Sequence, residues 1–158
     1  MNMSREDLLQ PSLANDSAPA AAPYSVRTTF LTGFFGGPFA AIAILATNSV
    51  RLRRVFRDLP VILVSAAVLL VGSWALQKTA GGAVARQWLD ETIGANNLRY
   101  VYRLLALMIV GCGYLLHRQE QINSDLVGLK RPNGWIAGLI CIVGGFVLLS
   151  ILITATLR

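Results

Sequence analysis

Three ionisable side chains lie next to long apolar runs of this sequence, where they could meet a ligand. They are Arg99, Arg103 and His117. An arginine can bind a phosphate or another anion through paired N–H donors, and a histidine can transfer protons near neutral pH. Arg103 and His117 are too far apart for joint chemistry, because 14 residues of straight helix separate two side chains by about 21 Å.

Other groups that could do chemistry lack the partners they need. The acidic residues all lie outside the apolar runs, so the hydroxyl groups within the runs have no base beside them. Cys112 and Cys141 are isolated, and a metal site needs clustered ligands. The stretch Gly36-Gly37-Pro38 lacks the Lys and Ser/Thr of a phosphate-binding P-loop. We therefore predict that the protein is not an enzyme and has no cofactor.

The composition indicates a membrane protein. Of the 158 residues, 54% are hydrophobic and 14% are charged, whereas soluble domains carry roughly 25% charged residues. The net charge of +6 resides in short segments between apolar runs. Nucleic-acid binding normally requires a continuous basic surface, so this distribution argues against it. It is instead typical of membrane topology signals, and we expect the lipid bilayer to be a partner.

The apolar runs predict an all-α, polytopic fold with four transmembrane helices arranged as two helical hairpins. A stretch of about 20 apolar residues is long enough to cross a bilayer. We place the spans at about 29–50, 59–77, 98–117 and 135–157, within a domain of residues 25–158. Residues 1–24 are rich in Ala, Pro and polar residues and predict a disordered tail.

Two segments leave alternatives open. The span at 98–117 holds only 13 uncharged residues in a row, so it could be a re-entrant segment instead. If it does span, Arg99 and Arg103 could extend from its first turns to the headgroups, and His117 would be interfacial. We nevertheless take these two arginines as a candidate lipid or anion contact. Residues 84–93 could form a short interfacial helix carrying Trp88, or a plain loop.

Glycines and one proline predict where helices pack closely. Gly33 and Gly37 form one GxxxG pair, and Gly134 and Gly138 form another. Small residues at this spacing let a second helix approach closely, within the chain or between copies. Pro38 removes a backbone donor, so we expect a kink in the first span.

Arginines next to the first span bear on orientation. The two loops on one side of a four-span protein and the segments on the other side each carry seven basic residues, so the count alone decides nothing. Dense positive charge beside spans is retained in the cytoplasm. We therefore expect the loop to be cytoplasmic and both termini to lie outside; an N-terminus inside is the alternative. The loop carries the four arginines Arg51, Arg53, Arg54 and Arg57.

The first span also carries a resemblance. Its stretch Gly36-Gly-Pro-Phe-Ala40, followed by Asn48 and a basic turn, resembles a loose group of small bacterial membrane proteins. These proteins have a GGPxA kink in their first helix and no assigned activity. The resemblance covers about a sixth of the chain. It implies a location in the bacterial inner membrane.

The functional hypothesis follows from the missing chemistry and the glycine-rich faces. We expect an accessory or scaffold subunit that associates through its helices, as a homo-oligomer or in a larger membrane complex. The alternative is a small oligomeric transporter or channel, because a broken first helix could border a cavity. A lipid-modifying enzyme using Arg99, Arg103 and His117 ranks last.

Overall fold

The protein is all-helical in the part that the structure, a computed structural model, describes: residues 21–94, 97–126 and 129–157. Four of its helices are long and apolar enough to cross a membrane, and the fifth is short. This confirms the predicted all-α fold with four helices of membrane-spanning length and composition. The helices are α1 (Val26–Arg51), α2 (Val55–Lys78), α3 (Ala80–Ile93), α4 (Asn97–Leu126) and α5 (Trp135–Leu157).

The chain reverses direction within α1. Gly37 has φ 74° and ψ −167°, a conformation that essentially only glycine adopts. The side-chain amide of Asn48 donates a hydrogen bond to Oγ1 of Thr29 at 3.4 Å. On a straight helix these two residues would lie about 28 Å apart. Residues 26–36 and 38–51 are therefore two half-helices that lie side by side. The sequence predicts a kink at Pro38, and the structure has a full reversal one residue earlier.

Hydrogen bonds close the open end of this helical hairpin. The backbone N–H of Tyr24 donates to Oδ1 of Asn48 at 2.9 Å, and Nε of Arg51 donates to the carbonyl of Ala22 at 3.0 Å. The Arg51 guanidinium also lies 5.0 Å from the centre of the Tyr24 ring. Residues 22–24 are buried, in contrast to the predicted tail of residues 1–24. The first 20 residues of that tail lie outside the described part.

Two long helices pack on the hairpin. The contacts of α1 are most extensive with α5 and α4 and smaller with α2, so the interior is centred on α1 rather than within sequential helix pairs. Gly134 meets Thr28 and Gly145 meets Gly36, which sets α5 parallel to the first half-helix. The apolar core between hairpin and α4 consists of Ala41, Leu45, Ala106, Ile109 and Val110.

Several helix boundaries differ from the prediction. α2 begins at Val55, four residues before the predicted start, and therefore includes Asp58. α4 continues to Leu126 rather than ending at 117, because buried residues such as Ser124 extend its packed face. Residues 84–93, for which a loop was the alternative, lie within α3. Thr79 caps the start of α3 by accepting a hydrogen bond from the backbone N–H of Gly82.

The two ends of the molecule can now be distinguished. We call the end that holds residues 22–25 and 51–58 the base side. The hairpin tip, residues 36–38, points away from it towards the tip side, where α3 links α2 to α4. Ser73 and Tyr102 are hydrogen-bonded at 3.0 Å, and Asp58 meets His117, so α2 and α4 run antiparallel between the two sides.

Candidate functional site

A cavity of about 540 Å³ lies between the hairpin tip and the tip side of the molecule. We call it the tip cavity. It exists because the hairpin turns back at Gly37 and leaves the space beyond residues 36–38 unfilled. Every helix contributes to its lining, which includes the hairpin tip, the end of α2, α3, the first turns of α4 and the second half of α5.

Three arginines line the tip cavity. Arg99 and Arg103, the predicted lipid or anion contact, are both present, and Arg86 of α3 joins them. The Arg103 guanidinium lies 5.2 Å from the centre of the Phe34 ring, a cation–π contact that holds it at the hairpin tip. Arg86 could not be placed from the sequence, because its position depends on whether residues 80–93 form a helix.

Polar atoms in this cavity lack protein partners. Nε of Arg86 and Oε1 of Gln77 are buried and have no hydrogen bond within the described part of the chain. Buried polar groups normally have partners, so such atoms indicate a place for a ligand or water. Among the described lining residues none is acidic. Asp90 and Glu91 lie on an adjoining surface of α3 that Arg86 also borders.

The tip cavity also has an apolar wall. This wall is formed by Phe34 and Phe35 of the hairpin and by Phe146, Leu149 and Ile153 of α5. Phe35 is 56% exposed and Phe146 is 52% exposed, so the wall continues onto the outer surface. The cavity therefore joins a positively charged region to an apolar one that is open at the side.

A second polar cluster lies at the base side. Nε2 of His117 and Oδ2 of Asp58 are 2.7 Å apart, and these side chains are 2% and 3% exposed. One turn along α4, Glu120 forms an ion pair with Arg54. This cluster joins α2 and the basic loop to α4. The sequence analysis missed this cluster for two reasons. The start predicted for α2 left Asp58 in a loop, and the end predicted for α4 left His117 at the membrane interface.

The two clusters are separate, as the helix spacing predicts for Arg103 and His117. The side chains of Asp58 and His117 bond each other and are almost fully buried. Within the described ranges, no three His, Cys, Asp or Glu residues come together as a metal site. The base-side pair connects α2 to α4.

The residues predicted to pack helices have three different roles. A Cβ atom at Gly134 would lie 2.5 Å from Thr28, one at Gly138 2.9 Å from Thr32, and one at Gly33 2.6 Å from Val110, so these glycines make contacts within the chain. Gly37 instead makes the turn, because nothing lies within 4 Å of its Cβ position. Pro38 is buried at the start of the second half-helix, where a proline has no donor to lose.

The basic loop is partly used for internal contacts. Arg51 bonds Ala22 and Arg54 pairs with Glu120, whereas Arg53 and Arg57 are exposed. Arg53 also has a positive φ of 55°. Only two of the four arginines are thus fully available to lipid or solvent at the base side.

The fold and these sites define a small helical membrane protein with a folded-back first helix and an arginine-lined cavity. No protein-family model, curated protein or solved structure matches the chain.

Proposed function

We propose that this is a non-catalytic membrane protein that binds an anionic ligand in the tip cavity. The observation that carries this proposal is the convergence of Arg86, Arg99 and Arg103 on one cavity with no acidic residue among its described lining. Like charges held together repel one another, and a bound anion would offset that cost. Guanidinium groups are also the donors best suited to phosphate and carboxylate.

Binding rather than catalysis fits the other groups at the cavity. Its described lining has no histidine, cysteine or carboxylate that could serve as nucleophile or general base. The Tyr102 hydroxyl is hydrogen-bonded to Ser73 and therefore acts as part of the scaffold. The cavity can hold and orient an anion but has nothing with which to transform it.

We further propose that the chain lies in the bacterial inner membrane with three crossings and a re-entrant hairpin. Neither half-helix is long enough to cross, because 11 and 14 residues span about 16 and 21 Å of a bilayer core of ~30 Å. Both ends of the hairpin lie at the base side, so α2, α4 and α5 remain as crossings. The N-terminus then lies on the same side as the basic loop, and the C-terminus opposite.

Charge supports a cytoplasmic base side. Of the basic residues in the described part, eight lie towards the base side and four towards the tip side. The cytoplasmic side of a membrane protein carries the excess of Lys and Arg. The base-side set is Arg27, Arg51, Arg53, Arg54, Arg57, Arg118, Lys130 and Arg131, and the tip-side set is Lys78, Arg86, Arg99 and Arg103.

As an accessory subunit or homo-oligomer, the protein would associate through surfaces other than its glycines. Gly33, Gly134 and Gly138 are occupied by internal contacts. Apolar side chains on α2 and α5, such as Val64 and Ile140, are more than half exposed. These outer faces would contact lipid, a second copy or a larger complex.

A small transporter is the second candidate, and the reversal in α1 favours it. Broken membrane helices place half-helix ends beside ligand sites at mid-membrane, as Gly36–Pro38 border the tip cavity. Uptake of a labelled anion into vesicles containing the protein would support this candidate. Binding without uptake would leave the non-catalytic binding protein.

The anion proposal can be tested with the purified full chain in a neutral detergent. The thermal midpoint would be measured in chloride and then with inorganic phosphate, glycerol 3-phosphate or phosphatidylglycerol at equal ionic strength. We expect at least one phosphate compound to raise the midpoint, because a ligand that binds only the folded state stabilises it. The rise should persist in Arg57→Gln and disappear in the double variant Arg99→Gln/Arg103→Gln. If no phosphate compound raises it, or the double variant responds like the wild type, the proposal is overturned.

A further inference from the structure

The tip cavity has the form of a site for an amphiphile rather than for a soluble anion. We propose that its ligand is an anionic phospholipid, with the phosphate at Arg86, Arg99 and Arg103 and one acyl chain along the apolar wall. This inference rests on the proposed function, since it names the class of anion that the cavity binds.

The lining separates charge from apolar surface. The arginines come from α3 and the first turns of α4, whereas Phe146, Leu149 and Ile153 come from the uncharged run of α5. A soluble phosphate would bind the arginines but would gain no stabilisation from the apolar residues of α5. A phospholipid satisfies both, because burying each CH₂ group contributes roughly 0.8 kcal/mol.

The depth of the arginines matches lipid headgroups. Arg99 and Arg103 lie in the first two turns of α4, at the tip-side end of a membrane-length helix. Arginines at such positions reach the interface, where lipid phosphates lie. α3, which follows the end of α2 and carries Arg86, lies at the same level.

The cavity is open in the direction from which a lipid would come. α4 and α5 both pack on α1, and they are not packed extensively against each other. Beyond the hairpin tip, the space between their tip-side halves is therefore not filled by α1. The half-exposed rings of Phe35 and Phe146 border this opening. A lipid could enter from the bilayer without leaving it.

Phosphate fits the donors better than carboxylate does. Three guanidinium groups present more donors than the two oxygens of one carboxylate can accept in good geometry. A phosphate diester offers its non-bridging and ester oxygens in several directions, and arginine pairs with phosphate in a bidentate manner. Net negative charge is also needed, so a zwitterionic lipid should bind less tightly.

Native mass spectrometry of the full chain, released from a neutral detergent, tests the inference. The probes are phosphatidylglycerol, phosphatidylcholine with the same acyl chains, and water-soluble glycerol 3-phosphate. We expect phosphatidylglycerol to be retained about tenfold more than phosphatidylcholine, a difference of ~1.4 kcal/mol. Glycerol 3-phosphate should not compete at equal concentration. This comparison uses the wild-type protein and does not depend on the folding of any variant.

Two variants separate the parts of the site. Arg99→Gln/Arg103→Gln should abolish the preference for phosphatidylglycerol, whereas the exposed base-side variant Arg57→Gln should preserve it. Leu149→Gln, on the apolar wall, should weaken retention of phosphatidylglycerol severalfold.

The outcomes distinguish the two proposals. If glycerol 3-phosphate binds as tightly as phosphatidylglycerol and Leu149→Gln has no effect, the ligand is a soluble anion. The lipid inference then fails while the proposed function stands. If the protein retains phosphatidylcholine equally, the lipid inference fails. If it binds none of the three probes with any dependence on the arginines, both proposals fail.

Discussion

Asn48 accepts a hydrogen bond from the backbone of Tyr24 at 2.9 Å, although 24 residues separate the two along the chain. This contact closes a hairpin made from a single run of apolar residues. The run has the length and composition of a membrane span, yet its two ends lie together at the base side. The tip cavity and its arginines exist because of that reversal.

The reversal should depend on the backbone of Gly37. Gly37→Ala forces an L-residue into a conformation that costs of order 1–3 kcal/mol, although its methyl group would meet no neighbour. We expect this loss in the free energy of unfolding, measured in mild detergent. Gly72→Ala is the matched control, because its Cβ position is also open and its backbone is helical. Equal stability of the two variants would contradict the role of Gly37.

The packing glycines should affect stability rather than assembly. Gly138→Leu places a large side chain where even an added Cβ atom would lie 2.9 Å from Thr32, so the thermal midpoint should fall by several degrees. Gly144→Leu is the control, since nothing lies within 4 Å of that position. Size-exclusion chromatography with light scattering should show the same oligomer mass for Gly138→Leu and wild type. A change in mass without a loss of stability would show that Gly138 lies between subunits.

The base-side pair should behave as a structural connection. Removing one partner of a buried hydrogen bond leaves the other polar group unsatisfied, which costs roughly 1–3 kcal/mol. We expect a loss of that size for Asp58→Leu and a smaller loss for Asp58→Leu/His117→Leu. Denaturant titrations of the variants measure both losses in the free energy of unfolding. Retention of phosphatidylglycerol, measured on the same variants, reports whether the tip cavity is intact. A double variant that loses as much stability as Asp58→Leu, or more, would contradict this coupling between Asp58 and His117.

The membrane topology gives a separate prediction. A tag at the N-terminus and a cysteine introduced by Arg53→Cys, with Cys112 and Cys141 replaced by alanine, should be labelled from the same side. A C-terminal tag should be accessible only from the other side. Intact and permeabilised cells distinguish the two sides. Both termini on one side would indicate four crossings and contradict a re-entrant hairpin.

Composition and apolar run length were enough to predict the four long helices, but not the path of the first one. A Gly-Gly-Pro sequence is compatible with a kink and with a reversal. Contacts of Asn48 and Arg51 with residues 22–29, far away in sequence, favour the reversal. For the same reason, only part of the candidate site could be predicted from the sequence. Arg99 and Arg103 flank an apolar run, whereas Arg86 and the α5 wall reach the cavity only through tertiary packing.

An experimental structure of the protein in bilayer discs containing phosphatidylglycerol tests the central claim most directly. The account predicts phosphate density in the tip cavity, with oxygens about 2.7–2.9 Å from the guanidinium nitrogens of Arg99 and Arg103. Acyl-chain density should continue along Phe146 and Leu149. A straight first helix that fills this space, or arginines that face solvent beside a cavity without a ligand, would contradict it.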